Sequence, residues 1–363
     1  VTVATFEVWL CNAKGNPIGL IENAVEFTYT HATHAAGFFS LALPGTFPRQ
    51  QLNVTRRVLF FRKPPGGSPA LDFVGFVRRP GTNTGSEGAK TRTLSGYGPN
   101  WLVSGRVVLA AAGSPEAAKT GSADDLMKEI ATEQMGASAP AARQYPSAYF
   151  AVQPSSGSGP ILTKAFAYQN ALDVARELSE AARQAGIETF FHVLPLGVNQ
   201  FLFVTSIAQL GRDLRRSGLV FGIEQGNLKN AHLDEDWSDE ANVGYGLGKG
   251  EGALRDVQTA EEPVRSGLTW YGRREVARDA RTQDSAGALA AAQAAIVAAR
   301  PVAAFGGDIL STAGALYGVD WRFGDRVDVT YDGRTFAALV RAVTVTVNQN
   351  GAETVGARLE AYL

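Results

Sequence analysis

The last 44 residues, 320–363, constrain the fold more than any other stretch. Val327, Val329 and Tyr331 alternate with Arg326, Asp328 and Thr330. Val343, Val345 and Val347 alternate with Ala342, Thr344 and Thr346, and Val355, Ala357 and Leu359 with Gly356, Arg358 and Glu360. A period of two is that of half-buried strands. Asp332-Gly333 and Asn350-Gly351 separate the runs, and both dipeptides suit a type I′ hairpin turn, which needs positive φ at its two central residues. The expectation is an antiparallel meander within a small barrel. Nothing in it resembles a catalytic centre, which points to an assembly part.

Residues 1–112 also read as β. Short runs at Phe6–Leu10, Val25–Tyr29, Phe38–Leu43, Val58–Arg62, Phe73–Val77 and Thr91–Leu94 are divided by Gly, Pro and Asn clusters, the spacing of a sandwich or barrel. Pro64–Pro69 reads as a turn and Thr82–Ala89 as a polar loop. The period then changes. Ser122 can cap a helix whose first turn holds Asp124 and Asp125 and which Gly136 ends. A second helix starts at Asn170 and stops at Gly186, with Val174, Leu178, Ala181 and Ala185 as its apolar stripe. A hairpin of Ile187–Val193 and Phe201–Val204 completes an α/β unit over 113–205. From Leu219 β patterns return, with loops at Asp234–Glu240 and Gly244–Gly252. A third helix, Asp284–Arg300, is capped by Asp284 and stopped by Pro301. The expected second β-domain is therefore discontinuous, over 206–264 and 317–363, with a helical insertion at 265–316 that packs with the α/β unit.

Composition removes several function classes. The 363 residues carry a net charge of −1, unlike a dedicated nucleic-acid binder or a polybasic membrane-surface protein. A local basic patch around Arg212, Arg215 and Arg216 stays open. One cysteine, Cys11, allows neither an intrachain disulfide nor a cysteine-based metal site. The first ten residues read as a strand, not as a signal peptide. No window approaches the ~20 apolar residues of a membrane-spanning helix.

The individual motifs favour plain readings. Gly244–Gly252 contains a GxG pattern without the strand–helix frame of a dinucleotide site, so a flexible hairpin loop is expected. His31-Ala-Thr-His34 has the spacing of two ligands on a helix turn but sits between β runs, and a surface loop is expected. The acidic run Asp234–Glu240 lacks the spacing of a calcium loop, leaving a solvated loop or protein contact ahead of weak cation binding. There is no GxSxG elbow and no HExxH. Catalytic, cofactor-binding and metal-binding residues are therefore each expected to be absent.

One ordered set of motifs carries a resemblance. Phe73-Val-Gly-Phe-Val leads to Thr93-Leu-Ser-Gly-Tyr-Gly-Pro-Asn-Trp-Leu, then to the helix opening at Ser122. Glu224-Gln-Gly-Asn-Leu, Asp236-Trp-Ser-Asp-Glu-Ala-Asn-Val-Gly-Tyr-Gly and Val319-Asp-Trp-Arg-Phe-Gly-Asp-Arg-Val follow. In this order they resemble the tail-hub proteins of long-tailed bacteriophages, in particular the Gp37-like siphovirus tail proteins. Asn227 and Asn242 are expected to bond their own backbone and tolerate left-handed turns. The resemblance implies an α+β, mainly β fold, with two small antiparallel β-barrel domains joined by α/β elements. It also implies a homotrimeric ring at the virion tail tip, between the sixfold tail tube and the tip. The implied partners are further copies of the chain, the distal tail protein ring, the tape-measure protein, tip fibre or receptor-binding proteins, and DNA in transit only, without membrane insertion. Interfaces are expected on the outer faces of the β-domains and along 64–70, 82–89 and 234–252. The rival expectations are a cell-wall glycosidase or peptidase and a carbohydrate-binding module using Trp237, Trp270 or Tyr271.

Overall fold

The structure is a computed structural model that describes residues 4–362 except 87, 111–113, 115, 282 and 311, with backbone alone for 302, 303 and 362. The expected boundary at 112/113 and the terminal residues Val1–Val3 and Leu363 fall outside the described residues.

The chain is mainly β, and its sheets are predominantly antiparallel. The strands of the two β-regions join in one sheet of thirteen strands. Its path runs Leu228–Asp236, Val302–Ile309, Glu353–Tyr362, Arg334–Val347, Glu26–Ala32, Phe38–Pro44, Lys90–Tyr97, Ala70–Thr84, Arg57–Lys63, Thr5–Cys11, Pro17–Leu20. Arg326–Tyr331 pairs with the first half of Arg334–Val347, and Val220–Gly222 pairs with Arg326–Tyr331 in parallel. Among the described residues this path closes no barrel, in contrast to the two separate barrels expected. The join explains the difference: Val343, Val345 and Val347 stand opposite His31, Tyr29 and Phe27, so the C-terminal meander continues the N-terminal sheet.

The meander follows its sequence pattern. Val327, Val329, Val343, Val345, Val355 and Leu359 are all buried. Asp332 and Gly333 take φ of 50° and 69°, as a type I′ turn requires. At the other turn only Gly351 is left-handed, at φ 73°. There the Asn348 side chain accepts from the amides of Asn350 and Ala352 at 2.9 and 3.0 Å, making a longer loop. The Thr82–Ala89 loop is also shorter than expected, because Thr82–Thr84 still pair in the hairpin.

Among the described residues five α-helices form: α1 (Trp101–Ser104), α2 (Ala123–Gln134), α3 (Ala171–Gln184), α4 (Pro263–Ser266) and α5 (Ser285–Ala298). Asn170 and Asp284 cap α3 and α5, accepting from Leu172 N–H at 2.9 Å and Gly287 N–H at 3.0 Å. Ser122 stands at the start of α2 in extended conformation without a side-chain cap bond. At four residues each, α1 and α4 are too short to show an amphipathic period.

Two cores hold the architecture. One collects Val8, Phe27, Tyr29, Phe39, Phe60, Phe73, Phe221, Phe305, Trp321, Val327, Val343 and Leu359 from both β-regions. The other joins Cys11, Leu59 and Val74 to Leu126, Ile130, Leu172, Leu178, Phe191 and Phe203 of the α/β unit. Adjacent residues of the same strands, such as Val58 and Leu59 or Phe73 and Val74, therefore belong to different cores, as side-chain alternation dictates.

Gly244 and Gly246 lie in a strand, Val243–Leu247, not in a loop. That strand pairs with Val257–Glu261 and Glu275–Asp279 in a separate three-stranded sheet beneath α5. The sheet thus spans the position, 264/265, where the sequence pattern placed the start of the insertion. The glycines have a steric cause: a Cβ on Gly246 would stand 1.7 Å from the Ala288 carbonyl oxygen, and one on Gly244 2.3 Å from that of Ala292. Buried Ala288, Ala292 and Ile296 form the facing stripe of α5. Gly246→Ala should therefore destabilise the protein by about 1–3 kcal/mol through overpacking, whereas Gly19→Ala, with open space around it, should leave it unchanged within ~0.5 kcal/mol. Denaturant unfolding of both variants checks this; equal midpoints would show that α5 does not rest on Gly246.

Candidate functional site: a polar cleft and an exposed aromatic rise

The main cleft, of about 690 Å³, opens between the first β-region, the hairpin strand Thr189–Pro195 and the segment 317–323. At its floor stands Asp72. In the pairing of Arg57–Lys63 with Ala70–Thr84, Phe60 faces Phe73 and Phe61 faces Leu71, so Asp72 is the extra residue of a β-bulge. A bulge re-aims its side chain. Tyr29 Oη donates to Asp72 Oδ2 at 2.5 Å and Tyr317 Oη to Oδ1 at 3.4 Å. His31 Nε2 lies 3.7 Å from Oδ1. Burial pushes the Asp72 carboxyl up, but His31, the Tyr29 hydroxyl and the Arg62 charge outweigh it and hold the group below the usual carboxylate range. Burial, then the Asp72 charge, pushes both tyrosine hydroxyls well above their ordinary range. Both tyrosines therefore donate to a carboxylate, which ties Glu26–Ala32 and the 317–323 segment to the strand Ala70–Thr84.

Beside it, Arg62 binds Glu353 in bidentate fashion at 2.6 and 3.0 Å and donates to the Tyr317 carbonyl at 2.7 Å. Its guanidinium also lies 4.9 Å from the Tyr317 ring centroid. Both side chains of the ion pair are almost fully buried. This links the N-terminal strands to the last strand of the chain. None of Arg62, Asp72, Tyr317 or Glu353 stands out in the sequence; the one available signal was an acidic residue inside the otherwise apolar run from Leu71 to Val77.

A smaller cleft of about 500 Å³ is lined by His34, Arg176, Ser179, Arg183, Glu188, Arg341 and Glu360. Arg341 reaches Glu188 at 2.6 Å and Glu360 at 2.8 Å. It too is a bulged residue, skipped between Val340 and Ala342 in the pairing with Glu353–Tyr362. His34 Nε2 lies 3.1 Å from Ser179 Oγ. The two histidines expected in one surface loop therefore serve different clefts, and among the described residues no three potential metal ligands converge.

One cluster has the composition of a nucleophile and base. Ser156 Oγ lies 2.8 Å from Lys128 Nζ and 2.5 Å from Asp124 Oδ2. Lys128 also meets Asp124 and Asp125 at 3.1 and 3.2 Å. Lys128 thus ties both carboxylates of the first turn of α2 to the Ser156 hydroxyl. The Asp124 and Asp125 carboxylates additionally accept from the amides of Ser156, Gly157 and Gly159 at 2.8–2.9 Å. The cluster fastens the 153–160 segment over the start of α2.

The remaining motifs resolve into structural roles. Arg212 pairs with Asp325 at 2.7 Å and Arg215 with Asp213 at 2.5 Å, so two of the three arginines of the basic patch are held by carboxylates. Gly324, at φ 85°, and Asp325 make the turn ahead of Arg326–Tyr331. Asn227 and Asn242 are buried staples, not left-handed turn residues: Asn227 bridges Val220 C=O and Gly222 N–H, and Asn242 bridges Gly272 C=O and Arg274 N–H. In the acidic run, Asp234–Asp236 belong to a strand and Glu240 binds Arg265 at 3.0 Å. Following α4, Trp270 and Tyr271 stack edge to face at 5.3 Å and are 95% and 66% exposed. Val264 and Leu268 beside them are about three-quarters exposed.

Two predictions concern the clefts. Removing one partner of a buried ion pair strands the other charge; Arg62→Met should cost about 3–5 kcal/mol, and Arg62→Met with Glu353→Leu should recover most of it. Unfolding of the two variants decides this, and an equally unstable double variant would refute the account. Burial, helped at His34 by the Arg341 charge and at His192 by the charge of His31, lowers both imidazoles to about 4. The unfolded chain takes up these protons near pH 6.5 and the folded chain does not, so stability is full above about 6.5 and falls as the pH drops toward 4. Unfolding midpoints at pH 7 and pH 5 should differ more in the parent than in His192→Gln.

The family model described as Siphovirus ReqiPepy6 Gp37-like protein matches residues 5–359. No curated protein sequence matches the chain. Among solved structures, the 43 kDa tail protein of prophage MuSo2 from Shewanella oneidensis is similar at a TM-score of 0.61 and 11% identity, covering 98% of each chain. A tail protein from Neisseria meningitidis MC58 gives 0.59 and 11%, covering 98% of this chain and 96% of the other. Prophage tail protein gp18 from Listeria monocytogenes EGD-e gives 0.58 and 11%, covering 97% and 94%. At these identities the likeness is one of fold. With the family model matched from the first described strand to the last, the chain belongs to the Siphovirus ReqiPepy6 Gp37-like protein family.

Proposed function

We propose that this chain is a non-enzymatic structural protein of a phage or phage-like tail. It acts as the hub at the tail tip, forming a threefold ring that joins the tube to the tip and gates exit of the tape-measure protein and DNA. The observation that carries the reading is the family match over residues 5–359, supported by the fold shared with three tail proteins over nearly their whole length. The polar centre suits that role. It clamps the N-terminal strands to the C-terminal meander through Arg62–Glu353, as a part bearing load along a tail would need.

The lobes of this hub are 1–112, 113–205, 206–264 with 317–363, and 265–316, the last widened to include Val243–Leu247 and Val257–Glu261 that pair with it. The partners are two further copies, the distal tail protein ring, the tape-measure protein and tip fibre or receptor-binding proteins. DNA touches the protein only in transit, in keeping with the net charge of −1. The outer faces of the β-regions and segments 64–70, 82–89 and 234–252 are where the ring contacts are sought.

A second reading, carbohydrate binding at the tail tip, draws on the exposure of Trp237, Trp270 and Tyr271. Light scattering of the purified chain separates the two readings when combined with cryo-electron microscopy of the parent particle. The hub predicts three times the 38.5 kDa chain mass and threefold density at the tail tip. A single-chain mass together with absence from the particle would overturn it.

A further inference from the structure

The aromatic rise after α4 and the main cleft complement each other chemically. The rise exposes Trp270, Tyr271, Leu268 and Val264. Two aromatics bury roughly 150–250 Å² each, so with the aliphatics the patch offers on the order of 600 Å² against ~800 Å² per partner in a standard interface. An apolar patch of this size lies at the top of the range that single chains ordinarily expose, where such patches are often functional. The cleft, about 690 Å³, has apolar walls that include Leu71, Leu194 and Val319, with the exposed guanidinium of Arg322 among its lining. Deep in it, His192 Nδ1 is buried and, among the described residues, has no hydrogen-bond partner, while His31 Nε2 faces Asp72 Oδ1 at 3.7 Å. A buried nitrogen without a partner calls for a donor or acceptor from outside. The indole N–H and the tyrosine hydroxyl can supply it, and Arg322 can stack on an indole face.

We propose that Trp270 and Tyr271 of one copy dock into the main cleft of the next copy of this chain. Rise and cleft share no residue, so each chain can give one and receive one. Such a heterologous contact repeats around a ring, and neither surface is complete without its neighbour. The proposal rests on the hub reading and specifies its interface.

Mixing two variants tests it. Trp270→Ala/Tyr271→Ala lacks the rise, and Leu194→Arg, at a half-exposed position on the cleft wall, blocks the cleft. Thermal melts establish that both fold. By light scattering each alone should run at single-chain mass, its assembly weakened on the order of 100-fold or more, the scale of a lost interface anchor. Mixed together they should form complexes of one copy of each, since one intact rise still meets one intact cleft. A folded Trp270→Ala/Tyr271→Ala chain that assembles like the parent overturns the docking and leaves the ring intact. Folded variants that stay apart on mixing overturn it as well. A parent chain that never assembles removes the ring reading and the docking together. Loss of binding to purified cell-wall glycan in Trp270→Ala/Tyr271→Ala, with assembly unchanged, assigns the rise to sugar instead.

Discussion

Strands buried on both faces are the constraint on which this structure depends. Thr5–Cys11, Arg57–Lys63 and Ala70–Thr84 send Val8, Phe60 and Phe73 into the β core and Cys11, Leu59 and Val74 into the core of the α/β unit. A sheet sandwiched this way has no solvent side, so its strands read as nearly continuous apolar runs, Val58-Leu-Phe-Phe and Phe73-Val-Gly-Phe-Val. The same strands therefore fix the position of the helices relative to the C-terminal meander. A one-residue slip in any of them would exchange the two cores.

Within that frame, β-bulges deliver charge where alternation alone would not. Asp72, Arg78 and Arg341 are each the extra residue at a β-bulge of a long strand. Asp72 turns to Tyr29 and Tyr317, Arg341 to Glu188 and Glu360, and Arg78 lays its guanidinium 4.8 Å from the Trp101 ring of α1. Each bulge thus converts a strand position into a tie between segments far apart in sequence. Gly96 shows the steric counterpart: opposite the bulge at Arg78, a Cβ there would stand 1.9 Å from the Phe76 carbonyl oxygen.

These ties join segments of the chain that lie far apart in sequence. Its conspicuous polar clusters are spent on holding strands and loops together, Lys128 between Asp124 and Asp125 and Arg62 on Glu353. What faces outward with unused chemistry is the Trp270–Tyr271 rise and the cleft over His31 and His192. If the chain forms the ring proposed above, these surfaces are the ones that one copy would offer and the next receive.

Local chemistry was legible in the sequence wherever it acts over a few residues. The alternating valines of the meander, the Asp332-Gly333 turn and the Asn170 and Asp284 caps all reflect backbone preferences carried by neighbouring residues, and the ordered motifs pointed to the family. The tertiary structure decided what depends on pairing between distant segments. Joining Glu26–Ala32 to Arg334–Val347 made one sheet where two barrels were expected. The approach of Ala288 and Ala292 turned an apparent glycine loop into a strand under α5. The cleft belongs to the same class: His31, Asp72, His192 and Tyr317 lie far apart along the chain, and only bulges and strand register, which no short window encodes, bring them to one place.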